Sequence, residues 1–184
     1  MTTAIVLGSA PCMWDDLEGA RAFAPDADLV VVNEAGISCL DRITHWCSLH
    51  GGKLKNWVAT RLDRGGNADF TAHGLFHPYM PSEARFLPTF RLLSWERPSP
   101  EGSSGLFAAI VASVFYDNVI LAGVPLDGKT VIDVNGEQIP APNSGVGYHV
   151  YQVSWPRAVD RGDLDPARLS SMSGWTRELF GAPE

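Results

Sequence analysis

The stretch IVLGSAPCMW, residues 5–14, places three apolar residues before four small or rigid ones, and a helix-like segment follows. An apolar run that stops at Gly8 and Ser9 is typical of a buried strand that ends in a tight turn. Glycine lets the backbone turn sharply and lets another group approach it closely. We therefore predict a strand over residues 3–8 and a helix over 13–24, with a ligand approaching the turn between them.

The same alternation continues through the first third of the chain. ADLVVVNEAG (27–36) is rich in β-branched residues and predicts a second strand, and ITHWCSLHG (43–51) predicts a third. Residues 53–66 have the apolar spacing of a helix and end in two glycines. Strands that alternate with helices indicate an α/β fold with a mainly parallel sheet and right-handed crossovers.

The second half repeats this pattern around one very apolar helix. Residues 102–128 predict that helix, a turn and a further strand, and a helix that is apolar on nearly every side must be covered on most sides. The Asn135-Gly136 pair predicts a short hairpin or flap within 128–148. Weaker patterns predict short strands in 70–77, 85–95 and 168–172 and helices in 154–162 and 173–181. We expect one three-layer domain over 1–184.

Composition restricts the classes of partner. The net charge of −7 repels a nucleic-acid backbone, so we expect no nucleic-acid partner, although a local site can still bind a small anion. No signal segment and no apolar run near 18 residues is present in the sequence, so we expect no membrane span. Three cysteines without a CxxC pair favour free thiols and a cytoplasmic location. The oligomeric state stays open.

Ligands of open parallel sheets bind beyond the carboxyl ends of the strands. We expect those ends to carry the candidate binding residues. They are Gly8, Ser9, Ala10 and Pro11 after the first strand, Asn33 and Glu34 after the second, His50 after the third, and Asp127 after the strand that ends near residue 124, with Gly123 close to the end of that strand.

A second candidate is the start of the apolar helix, at Ser103, Ser104 and Gly105. The first N–H groups of a helix lack intrahelical acceptors and carry partial positive charge, which suits a phosphate or a carboxylate. Ordinary N-capping by one serine is the structural alternative. We expect this helix start and the turn at Ser9 to meet across one crevice.

Three side chains have a possible chemical role, each beside a structural one. The Asn33 amide can hydrogen-bond a base or a sugar, or it can close an Asx-turn. His149 follows a glycine-containing segment and can act as a general base with Asp127 nearby, or it is an ordinary loop histidine. Arg61 can bind a substrate phosphate or carboxylate, or it lies on a solvated helix face.

Established cofactor motifs are missing from the sequence. The first turn lacks the three-glycine dinucleotide fingerprint, the chain has no Walker lysine pattern, and its histidines do not have a recognised metal spacing. We therefore expect no required cofactor and no resident metal, with a nucleotide bound as substrate.

The segments VLGSAP, VVVNEAG, SSGLFAAIVA and NVILAGVPLD together resemble a Rossmann-like group. That group contains the bacterial sialyltransferases of glycosyltransferase family 42 and the MptE-like 6-hydroxymethylpterin pyrophosphokinases. The resemblance covers residues 4–36 and 102–128. The segments SSMSGWTRELFG and HWCSLHGGKLKNW are similar to uncharacterised bacterial and prophage-encoded members of the same group.

The resemblance implies a function as well as a fold. In the sialyltransferases the corresponding positions hold the CMP of the donor, which implies nucleotide contacts from Gly8, Ser9, Asn33 and Ser104. A later histidine acts there as base, which implies that role for His149. The resemblance to the MptE-like enzymes implies instead a pyrophosphokinase that uses ATP and magnesium. A non-catalytic nucleotide-binding or phage-related module is a third interpretation.

Overall fold

The computed structural model describes residues 1–75, 91–95, 103–127, 130–133, 135, 137–140 and 149–184. The strands are β1 Thr3–Leu7, β2 Asp28–Val32, β3 His45–Ser48, β4 Thr71–Leu75, β5 Arg91–Trp95, β6 Asn118–Ala122, β7 Thr130–Ile132, β8 Gln138–Pro140 and β9 Leu169–Ser171. The helices are α1 Met13–Phe23, α2 Ala35–Ser38, α3 Gly51–Asp63, α4 Ser104–Phe115, α5 His149–Asp160 and α6 Gly174–Phe180.

Seven of the strands form one parallel sheet in the order β5-β4-β3-β2-β1-β6-β9. Strands β2 to β5 follow one another outward on one side of β1. The chain then passes through α4, and β6 pairs with the other side of β1. The strand order therefore reverses between β1 and β6. In open α/β sheets such a reversal leaves a crevice at the carboxyl ends of the two strands, where ligands bind.

The side chains of β1 alternate between two hydrophobic cores. Ala4 and Val6 face the core under α4 and α5, whereas Ile5 and Leu7 face the core under α1 and α3. Nine consecutive residues of α4, 104–112, are buried. The expected cover of this apolar helix on most sides is confirmed, and the fold is a three-layer α/β fold of the Rossmann-like type.

Two local predictions need correction. The second strand ends at Val32 rather than near residue 36, because Asn33 has a positive φ of 49° and the chain then forms α2. A left-handed residue turns the backbone out of the sheet. His149 lies in the first turn of α5, which begins earlier than the helix predicted over 154–162.

The predicted hairpin forms from β7 and β8, which pair antiparallel in a sheet of their own. The strands predicted in 70–77 and 85–95 are found as β4 and β5 in the parts of these segments that the structure describes. Residues 76–90, 96–102, 128–129, 134, 136 and 141–148 lie outside the described residues. Of the helices that the structure describes, none combines the length and the apolar character needed to cross a bilayer.

Candidate functional site

The group that approaches Gly8 is the backbone of the loop after β6. A Cβ atom added to Gly8 would collide with the carbonyl oxygen of Gly123, and Ala10 N donates a hydrogen bond to that oxygen over 3.2 Å. Gly123 itself has a φ of +64°, which favours glycine. Gly8 and Gly123 thus allow two loops of the protein to pack together, and the expectation that a ligand approaches them here is not met.

The space between the first turn and α4 is also filled. Val124 is buried, and its two methyl groups lie 2.8 Å from a Cβ added to Gly8 and 2.9 Å from one added to Gly105. Both glycines therefore make room for the same valine. This packing closes the part of the predicted crevice that joins the β1 turn directly to α4.

A buried carboxylate occupies the reversal point between β1 and β6. Oδ2 of Asp16, in the first turn of α1, accepts hydrogen bonds from Gly123 N at 2.8 Å, from Ser173 Oγ at 2.6 Å and from Cys12 Sγ at 3.3 Å. Burial, with a smaller contribution from Asp16, raises the pKa of Cys12 to about 11, so its thiol is protonated at neutral pH. Asp16 joins α1, the β6 loop and the segment before α6.

A second polar cluster lies at the ends of β2 and β3. Ser48 Oγ donates to Asn33 Oδ1 at 2.8 Å and accepts from His50 N at 2.9 Å. Leu49 N, one residue further, donates to Ser104 Oγ at 3.4 Å in the first turn of α4. These bonds bring together three of the predicted site residues, Asn33, His50 and Ser104.

The first turn of α4 begins with a capping serine. Ser103 is the N-cap, since its Oγ accepts the N–H of Leu106 at 3.2 Å. The structural alternative for this serine is therefore realised. The cap leaves the N–H groups of Ser104 and Gly105 as the donors that a ligand would meet at this turn.

The remaining residues after β1, β2 and β3 lie at the same edge of the sheet. Ser9, Ala10 and Glu34 are half-buried, and Pro11 and His50 are exposed. Asn33 is half-buried, and among the described residues none accepts a hydrogen bond from its Nδ2. This edge presents polar groups to solvent beside α4.

His149 lies at this end of the sheet as well. Gln152, three residues later on α5, donates from Nε2 to the carbonyl oxygen of Leu126 at 2.9 Å, and Leu126 has a positive φ of 54°. Residues three apart share one side of a helix. The first turn of α5 is thereby held near the loop that carries Asp127, and both His149 and Asp127 are exposed.

Arg61 is not placed to bind a substrate, and its helix face is not solvated. The residue is fully buried, and its five N–H donors all have acceptors within the protein. The acceptors are the carbonyl oxygens of Gly36, Cys39, Asp41 and Asn67 and the side-chain oxygen of Asn67. Arg61 ties α3 to the loops around α2, so the substrate-binding prediction for it is wrong.

A pair of buried histidines lies on another part of the sheet. His45 Nδ1 and His73 Nε2 are 2.9 Å apart, and the ring of His45 stacks on Phe115 at the end of α4. Burial lowers the pKa of His45 and lowers the pKa of His73 to about 4, the latter with a contribution from His45. Both imidazoles are neutral at pH 7. Within the described part of the chain, no group of three potential metal ligands comes together.

Sequence reasoning missed three residues that decide the shape of this edge, Asp16, Ser48 and Val124. Asp16 fits the general preference for acids in a first helical turn, so nothing in its pattern marks it as a buried acceptor. Ser48 is one serine at a strand end, and only the pairing of β2 with β3 shows that it faces Asn33. The signal that the sequence offered for Ser48 was a polar residue at the end of a predicted strand.

Comparison with known proteins identifies no relative. No family model, no curated protein and no solved structure matches this chain.

Proposed function

We propose that this protein binds a nucleotide or a nucleotide-sugar at the carboxyl ends of β2 and β3, beside the first turn of α4, and transfers a group from it. The observation that carries the proposal is the hydrogen-bonded chain from Asn33 through Ser48 and Leu49 to Ser104. This chain joins two strand ends to a helix start at the edge where parallel sheets bind ligands.

The donors of this cluster suit a phosphorylated ligand. The N–H groups of Ser104 and Gly105 are oriented by the helix and carry partial positive charge, which stabilises a phosphate and the charge that develops on a leaving phosphate. Nδ2 of Asn33 offers another donor on the neighbouring strand end. Exposed His50 and half-buried Ser9 and Glu34 are then available to the base or the sugar.

His149 is the proposed general base. Its imidazole is exposed on the first turn of α5, which Gln152 holds against the β6 loop. An imidazole can remove a proton from an acceptor hydroxyl at neutral pH. Asp127 on the same loop is the proposed partner that orients it. The resemblance to the family 42 sialyltransferases supports this assignment and CMP as the nucleotide.

The proposal is tested by a thermal-shift screen of CMP, UDP, GDP, ATP and their sugar conjugates, with and without magnesium. A ligand at one hundred times its Kd stabilises a folded protein by about 2.7 kcal/mol, which gives a clear rise in Tm. Asn33→Ala and Ser104→Ala should remove the rise, whereas Ser113→Ala, which loses a hydroxyl group that donates to Ala109 O within α4, should keep it. If none of the compounds raises Tm, the proposed function is overturned.

A non-catalytic binding module is the second candidate, and the packing of Val124 favours it. The side chain of Val124 packs against Gly8 and Gly105 and so takes up space between the β1 turn and α4. His149→Ala separates the two functions: in an enzyme it lowers turnover and keeps affinity, and in a binding module it changes neither. A rise in Tm with ATP that requires magnesium would instead indicate the pyrophosphokinase.

A further inference from the structure

Ser48 is fully buried at the end of β3, and its hydroxyl group makes two hydrogen bonds that fix two candidate site residues. The proton of Oγ goes to Asn33 Oδ1, and a lone pair of Oγ receives the N–H of His50. One side chain that does not reach the solvent therefore sets the direction of the Asn33 amide and the path of the backbone at His50.

The rest of Asn33 is held by β3 and α2. Trp46 Nε1 donates to the carbonyl oxygen of Asn33 at 2.9 Å, Gly36 N donates to the same oxygen at 3.2 Å, and Asn33 N donates to Cys47 O at 3.2 Å. The backbone of Asn33 is thus fixed in its left-handed conformation. Among the polar groups of this residue, the NH₂ group is the one that the described residues leave for a ligand.

We infer that Ser48 is a positioning residue of the proposed nucleotide site, which makes Asn33 a hydrogen-bond donor toward the ligand. An asparagine amide can turn by 180° and present either its oxygen or its NH₂ group. In the observed orientation Oδ1 accepts the proton of the Ser48 hydroxyl group. In the flipped orientation Nδ2 could donate to the remaining lone pair of Oγ, but the buried hydroxyl proton would lose this acceptor, which favours the observed orientation. The ligand group opposite Asn33 is therefore an acceptor, an oxygen of a phosphate, a sugar or a base carbonyl. The inference rests on the proposed function.

The first test needs no ligand. In the wild-type protein the ¹⁵N relaxation of the Asn33 side-chain amide should be that of an ordered group. In Ser48→Ala its order parameter should fall from about 0.8 to below about 0.6, the range of flexible groups. Ser48→Thr keeps the hydroxyl and should restore the order, and Ser113→Ala is the matched control. Unchanged Asn33 order in Ser48→Ala overturns the inference.

The second test uses the compounds of the thermal-shift screen. For each one that binds the wild-type protein, Ser48→Ala should weaken binding about ten-fold, and Ser48→Thr should recover most of the loss. Asn33→Asp can still accept the bond from Ser48 but replaces the NH₂ donor with a carboxylate oxygen. It should weaken binding by more than about ten-fold. Urea unfolding confirms that each variant is folded.

The two tests separate the inference from the proposed function. If the wild-type protein binds a nucleotide and Ser48→Ala or Asn33→Asp binds it equally well, the inference is overturned and the proposed function stands. If the wild-type protein binds none of the compounds, the proposed function is overturned, and the inference that rests on it is overturned too.

Discussion

The carboxylate of Asp16 accepts a hydrogen bond from the backbone N–H of Gly123 over 2.8 Å, across the point where the strand order of the sheet reverses. In many α/β proteins an anion of the ligand lies near such a point. In this protein the carboxylate of Asp16 lies at that point. The candidate site is displaced toward β2 and β3, where the half-buried Asn33 is linked through Ser48 and Leu49 to the first turn of α4.

Asp16→Leu should destabilise the protein by about 2–3 kcal/mol, because it removes the acceptor of the buried Gly123 N and of the half-buried Ser173 Oγ. Asp15→Leu is the matched control, since Asp15 is exposed on the same turn and its loss should change stability by less than about 0.5 kcal/mol. Urea unfolding measures both variants. Equal stabilities would contradict the structural role of Asp16.

Arg61→Leu should cost about 3–5 kcal/mol of unfolding free energy, because four carbonyl oxygens and the Asn67 side chain lose a buried donor. The exposed Arg42 makes only a 3.5 Å ion pair with exposed Asp69, so Arg42→Leu should change stability by less than about 1 kcal/mol. Chemical denaturation distinguishes the two. A stable Arg61→Leu variant would show that these bonds contribute little.

Gly8→Ala should destabilise the protein by several kcal/mol, since the added Cβ would meet the backbone oxygen of Gly123 and a methyl group of Val124. Gly52 offers the opposite case, because a Cβ there meets no atom within 4 Å and the residue lies in α3. Gly52→Ala should stabilise the protein by about 0.5–1 kcal/mol. Thermal unfolding of the two variants should give shifts of opposite sign.

Stability should fall with acid because of His73. The pKa of His73 is about 4 in the folded protein and about 6.5 when unfolded, so between these values the unfolded chain binds more protons. The contribution of His73 to the free energy of unfolding should be constant above pH 6.5. It should decrease by up to about 3 kcal/mol as the pH falls to about 4.

Urea unfolding from pH 7 to pH 4 tests the acid effect. His73→Gln should flatten the dependence on pH. Ser113→Ala removes no titratable group and should leave the dependence unchanged. A wild-type profile that has no slope in this window would show that the buried pair does not control acid stability.

The order of strands and helices could be predicted because each depends on a local pattern. The VVV run predicted β2, the apolar stretch from Leu106 predicted α4, and the Asn135-Gly136 pair predicted the hairpin. The first residues of the helices were harder to predict from the sequence. His149 belongs to α5 although the apolar spacing becomes clear only several residues later.

The candidate site was predictable only in outline. Polar residues after strands mark the edge of the sheet at which the candidate site lies, as for Asn33 and His50. A glycine has the same local signature whether a ligand or another loop approaches it. Gly8 and Gly123 lie 115 positions apart, and their mutual packing follows from the tertiary fold. Arg61 was misassigned for the same reason, since its acceptors come from distant loops.

The segment around α6 fastens the β6 loop, because Ser173 bonds Asp16 and Thr176 Oγ1 donates to the carbonyl oxygen of Val124 at 2.7 Å. Both residues are translated well after the loop that they hold in place. During synthesis the central strands can pair early, but the β6 loop is secured only after the segment around α6 has been translated. A nascent chain stalled before Ser173 should therefore keep this region accessible to proteases.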